Sequence, residues 1–286
     1  MGGFFVLVDL LALYLTTTFN ANGVILFEDL NDPFNLLSII TTTLVFSGAI
    51  LVFAKLRLVR ILKIVFLFST GSLIMLVVYF LMIGVIADPW ATILSSLFTL
   101  GLITLLVKHP EWYIVDITSI ILGVGSAALF GISLNVPLVV ILLTVMAVYD
   151  AVSVYKTRHM IALADTFVAL RIPAMLVVPN SKGYSFMTDT QSLKSEPKQG
   201  GRRAAFFLGL GDIVFPGILV VSVFNNIPGN GLTVAFSVMA GTLLGYILLL
   251  RLAAGGKPQA GLPFLCSGAL IGYFVSAFLL FGRFFV

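Results

Sequence analysis

Apolar residues fill this chain in long blocks, and the polar positions fall between the blocks rather than alternating within them. A helix that crosses a bilayer needs about 20 mostly apolar residues at roughly 1.5 Å rise each. Nine blocks meet that need, at about 2–19, 36–54, 61–86, 90–107, 113–132, 136–154, 204–224, 231–250 and 261–282. The first is the weakest, with Asp9 inside it and Thr16-Thr17-Thr18 at its end. The third is long enough to tilt, or to begin as an interfacial helix around Arg60 and Lys63. Asp88-Pro89, Asn135 with Pro137, and Pro228-Gly229-Asn230-Gly231 mark tight turns. The pattern predicts an all-α polytopic membrane protein of nine transmembrane helices.

Composition agrees and closes off other classes. Of the 286 residues, 60% are hydrophobic and 10% charged, against about 25% charged in a soluble domain. The net charge of +4 does not point to nucleic acid, because the basic residues sit in short connections between apolar blocks. The single cysteine, Cys266, excludes a disulfide within the chain and reads as a packed thiol. The N-terminal stretch has no basic n-region and contains Asp9, so it reads as a first membrane helix and not a cleaved signal peptide.

One connection is long, and it divides the chain. Residues 1–154 form a six-helix part, 155–203 a loop, and 204–286 a three-helix part. The first half of the loop, from Arg158 to Pro179, is apolar, but Asp165, Arg171 and Pro173 argue against a tenth span and for an interfacial helix. The second half is polar and rich in Gly, Ser and Lys, as in a mobile linker. With nine spans, the even-numbered connections share a side with the N-terminus. They hold every Lys and Arg except Arg283, whereas the first connection carries Glu28, Asp29 and Asp32. Basic loops stay in the cytoplasm, which puts the N-terminus and the long loop inside and the C-terminus outside.

Besides Asp9 in the first block and Asp116 near the start of the fifth, two blocks carry an isolated acid, Asp150 and Asp212. An ionised side chain near mid-bilayer costs about 2.5–3.5 kcal/mol, so its first reading is functional. Asp150 lies six residues before Lys156, roughly 9 Å of helical rise, and Asp212 nine residues after Arg203, roughly 13 Å. The depths match, and neither block offers a cation there. Two such carboxyls are expected to face each other and share a proton, leaving one able to act as base and the other as acid. Gly209 and Gly211, read as lying inside a helix, would admit close approach of another backbone. His109 and His159 fall in basic loops and there is no His-Glu-x-x-His, so neither a metal nor another cofactor is implied. Asp116 is expected to cap the fifth span. Paired acids also serve proton- or cation-coupled transporters, which stays open as a rival class, although matching halves are not evident.

At these residues the chain resembles a family. Tyr149-Asp150 in one block and Gly209-Leu210-Gly211-Asp212 in the next are similar to the motifs of the presenilin and signal peptide peptidase family of GxGD intramembrane aspartyl proteases. The stretch from Leu208 to Gly217 is closest to the signal-peptide-peptidase form. The family's Pro-Ala-Leu motif falls on Ala260-Gly261-Leu262, followed by Pro263, with Ala260 where the family has proline. The resemblance implies a presenilin-like nine-helix fold and an endopeptidase that cuts single transmembrane helices within the bilayer. It makes Asp150 and Asp212 catalytic, and it sets Tyr149, Gly209, Leu210, Gly211, Ala260, Gly261, Leu262 and Pro263 against the substrate. It leaves room for a homo-oligomer, and accessory subunits are not evident. A prepilin-peptidase-like protease, which shares the GxGD motif and cuts outside the bilayer core, is the enzymatic alternative.

Overall fold

The computed structural model describes residues 2–56, 59–157, 175–179, 205–253 and 259–284. Within them each of the nine apolar blocks becomes a helix: α1 Gly2–Ala21, α2 Pro33–Lys55, α3 Val59–Ile83, α4 Trp90–Lys108, α5 Trp112–Ser133, α6 Val136–Val152, α7 Leu210–Asn226, α8 Gly231–Ala253 and α9 Leu262–Phe281. Eight are long and apolar enough to cross a membrane, and α7 is a shorter apolar helix of 17 residues. The turn residues act as their chemistry requires. Asn135 caps α6 by accepting the Val136 N–H at 2.7 Å, with Pro137 in the first turn. Gly229, at φ 80°, takes the left-handed conformation in the turn that leads into α8.

Two short strands depart from the expected plan. Met175–Pro179 forms β1, Ala205–Gly209 forms β2, and they pair antiparallel with Met175 opposite Gly209 and Pro179 opposite Ala205. The sequence predicts an interfacial helix over 175–179 and the start of the seventh span at 205–209. Both are extended instead. Short apolar runs suit either state, and here Val177, Val178, Phe206 and Phe207 favour the strand. Gly209 would cost a helix about 1 kcal/mol and instead ends the strand, and the helix starts at Leu210. The remainder of the long loop, 158–174 and 180–204, lies outside the described residues.

The chain divides into two compact units. One takes in the end of α2, α3, α4, the start of α5 and the two strands as far as Leu210. Its core joins Ile74 and Val78 of α3, Leu102 and Leu106 of α4, and Ile114 and Val115 of α5 to Met175 and Val177, which share one face of β1. Contrary to the expected cap, Asp116 is the fifth residue of α5, inside the helix, and its Oδ1 accepts the Val177 N–H at 2.7 Å.

The other unit takes in α1, the start of α2, the end of α5, α6, α7, α8 and α9. Its α8 and α9 run antiparallel along a seam of glycines. A Cβ on Gly241 would strike the Gly268 carbonyl, one on Gly245 the Phe264 carbonyl, and one on Gly272 the Ser237 carbonyl. Small residues four apart on both helices bring the two backbones into direct contact. Asp9, the acid that weakened the first span, faces inward and is 2% exposed. Among the described residues its Oδ1 has no hydrogen-bond partner, and it lies where a Cβ on Gly217 of α7 would come within 2.9 Å. The far half of α7 is fixed by Ser222, whose hydroxyl donates to the Leu134 carbonyl at 2.9 Å, and by Asn225, which accepts from Asn20 at 2.7 Å.

Candidate active site

Asp150 stands in the last turn of α6, just before the backbone widens into a π-helical turn at Ser153–Thr157. It is 1% exposed, and its Oδ2 accepts the Leu262 N–H at 3.1 Å. Asp212 is the third residue of α7. The first N–H groups of a helix lack intrahelical acceptors and form the positive end of its dipole, so a carboxyl group is well placed there. This corrects the expected depth. Residues 205–209 are extended, so the path from Arg203 to Asp212 is not nine helical steps, and Asp212 opens its helix instead of lying mid-span.

The third component is irregular backbone. Gln259 to Gly261 precede α9, whose first turn begins with Leu262 and Pro263. The Leu262 N–H has no carbonyl one turn back, so it is available to Asp150. Pro263, at the second position of the helix, has no N–H to leave unpaired. Gly261 faces the other acid: a Cβ built on it would lie 2.9 Å from both Asp212 Oδ1 and Oδ2. One dipeptide, Gly261-Leu262, therefore touches both carboxyl groups. Cys266, buried one turn further along α9, lies within electrostatic reach of both.

Of the residues singled out in the sequence, Asp150, Asp212, Gly261 and Leu262 meet here, with Ala260 fully buried next to them. Tyr149 is half-buried, and its backbone carbonyl accepts the Ser153 N–H where α6 ends. Gly209 is not helical; it ends β2, and it is exposed. Leu210 packs against the core that contains β1. Gly211 is the second residue of α7, and the nearest neighbour of a Cβ on it would be Phe215 of the same helix, at 3.6 Å.

Tyr155 was not anticipated. Its hydroxyl donates to Gln259 Oε1 at 2.8 Å and accepts the Ala260 N–H at 3.4 Å, tying the π-helical turn to the backbone before α9. The available signal was a second tyrosine five residues after Asp150, one of the residues carried around by the wide turn.

Residues 2–283 match the family model described as signal-peptide peptidase, presenilin aspartyl protease. Among solved structures, a presenilin family intramembrane aspartate protease is similar in both its C222 and P2 crystal forms, with TM-scores of 0.69 and 0.70 and 28% identity in each. Each alignment covers 98% of this chain and 96% of that one. No curated protein is matched. With the family model spanning almost the whole chain, including both acids and the Gly261-Leu262 backbone, this protein belongs to the signal peptide peptidase and presenilin family of intramembrane aspartyl proteases.

Proposed function

We propose that Asp150 and Asp212 are the catalytic pair, and that they hydrolyse peptide bonds within single transmembrane helices of other membrane proteins. The observation that carries this is their convergence on one dipeptide: Leu262 gives its N–H to Asp150, and Gly261 faces Asp212. With one proton shared between them, the ionised carboxylate takes a proton from water. The water oxygen bonds to the peptide carbonyl carbon, and the carbonyl oxygen receives the proton held by the other acid, giving a gem-diol. Collapse breaks the C–N bond, and the leaving nitrogen is protonated by the pair. The chemistry requires water at the two acids, which enters at membrane depth only along a polar, protein-lined path.

A helical amide is hydrogen-bonded and shielded, so the substrate must be unwound at the cut. Tyr149, Gly209, Leu210, Gly211, Ala260, Gly261, Leu262 and Pro263 are the residues proposed to contact that unwound segment. The N-terminus lies in the cytoplasm and the C-terminus outside, as the basic loops require. This is the presenilin topology, and it favours substrates whose own N-terminus is outside.

Purified protein in lipid vesicles, given a single-span substrate, should release fragments cut within the span, read by mass spectrometry. Asp150→Asn and Asp212→Asn should each abolish the fragments while the protein stays folded, because removing one member of a cooperating pair removes the function. Residual cleavage above background in either variant would count against the pair. A reporter helix built in both orientations tests the topology, and preferential cutting of the N-inside form would overturn it.

A further inference from the structure

The backbone from Gln259 to Leu262 is held at both ends, from the end of α6 and the π-helical turn that follows it. At the far end the Leu262 N–H goes to Asp150 Oδ2 at 3.1 Å. At the near end the Ala260 N–H goes to the Tyr155 hydroxyl at 3.4 Å, and that hydroxyl donates to Gln259 Oε1 at 2.8 Å. A hydroxyl has one proton and two lone pairs, so donating to Gln259 leaves a lone pair for the Ala260 amide. Gly261, between the two ends, faces Asp212.

Asp150 and Tyr155 are five residues apart. On an α-helix, residues three or four apart are neighbours, and residues five apart are not. The π-helical turn at Ser153–Thr157 has i→i+5 spacing, which carries Tyr155 back toward the side of Asp150. The wide turn thus gives this part of the chain two attachments to one short stretch of backbone.

The near attachment meets a need particular to this chain. Position 260 holds alanine where the family motif has proline. A proline would fix its own φ at about −65° and bring no N–H. Alanine gives up that rigidity and adds a donor. Ala260 is fully buried, where a backbone N–H without an acceptor is destabilising. The Tyr155 hydroxyl meets both needs, since it accepts the added N–H and ties the freed backbone to the helix of Asp150.

We propose that Tyr155 is a positioning residue whose hydroxyl does for Ala260 what a proline ring does in the motif. It holds Gly261 and Leu262 against the two acids, and it takes no part in the proton transfers. The proposal rests on the reading of Asp150 and Asp212 as the catalytic pair. Loss of the hydroxyl therefore falls on kcat, because a small displacement at the reacting groups slows the chemistry. The size of that loss depends on the residue at 260.

The test is a double-mutant cycle on the full chain in lipid vesicles, with a single-span substrate that the unaltered protein cuts. In the unaltered chain, Tyr155→Phe should lower kcat about three- to fivefold, the worth of a neutral hydrogen bond, with KM unchanged. In an Ala260→Pro background, whatever its own rate, adding Tyr155→Phe should leave kcat unchanged, because the N–H is gone and the ring fixes φ. In an Ala260→Gly background, which keeps the N–H and loosens the backbone, the same change should lower kcat by about tenfold or more. If Ala260→Pro fails to fold or cuts nothing, the glycine background decides alone. A loss there no larger than in the unaltered chain would overturn the proposal, as would an undiminished loss in an active proline background. So would a Tyr155→Phe effect confined to KM or to the thermal midpoint. Cleavage that persists in Asp150→Asn would instead overturn the catalytic pair, so the two failures are distinct.

Discussion

Asp9 and Asp150 are almost equally buried, at 2% and 1% exposure, and both sit in apolar helices. Burial does not separate them; the backbone around them does. Asp9 lies mid-helix in α1 among small side chains, with Gly217 and Ala127 close by. Asp150 lies where α6 gives way to a π-helical turn, opposite a stretch that is not yet helix, and it takes a backbone N–H from the first residue of α9. An acid enclosed by regular helices can only pack. One set among helix ends meets unpaired N–H groups and room for an extended chain. On the catalytic pair proposed above, the comparison teaches that broken backbone, more than burial, sets Asp150 apart from Asp9.

The sharpest way to break this comparison is to neutralise each acid in turn. Asp150→Asn should lower kcat by about a thousandfold or more. Asp9→Asn, equal in size, should keep activity within about threefold. It should also keep the bell-shaped pH profile, in which rate falls on the acid side as the base is protonated and on the alkaline side as the acid loses the shared proton. An inactive but folded Asp9→Asn would erase the distinction.

A smaller effect comes from one added methyl group at either place. Gly261→Ala brings Cβ to 2.9 Å from both Asp212 oxygens, and Gly217→Ala brings it to the same distance from Asp9 Oδ1. The first should cost about 10- to 100-fold in kcat with little change in thermal midpoint, because a displacement of 1 Å at the reacting groups is enough for that. The second should appear as lost stability of about 1–3 kcal/mol, as overpacking does, with kcat kept. Combining it with Asp9→Ala should restore the midpoint. The smallest expected effect is that of Tyr155→Phe, which removes an exposed hydroxyl bonded to Gln259 and Ala260. A neutral hydrogen bond is worth about 1 kcal/mol, so a few-fold loss of kcat/KM is expected.

Helix count and the two acids were legible because both depend on composition along a single block. Twenty apolar residues have few fates, and an acid among them stands out. The strands were not legible. Ala205–Gly209 is as apolar as the helix it precedes, and its partner Met175–Pro179 lies across a loop with no local signal to pair them. The tie from Asp116 to Val177 spans 61 residues, so local rules read it as a cap. The segment at 260–262 was found through its motif alone; nothing in its spacing says that Leu262 would give its N–H to Asp150. The Gly241–Gly245 and Gly268–Gly272 spacings are visible in the sequence, but nothing local says that the two pairs meet.

Backbone laid on backbone has no slack. Along the seam of α8 and α9 each glycine meets a main-chain carbonyl, where a side chain could have swung aside. Gly245 presses on Phe264, and Leu262, whose N–H goes to Asp150, is two residues away. The fit of the proposed catalytic pair is therefore set at a joint remote from the pair itself. A methyl group at Gly245 would be felt as a misaligned carboxyl group at Asp150, with no residue of the site itself altered.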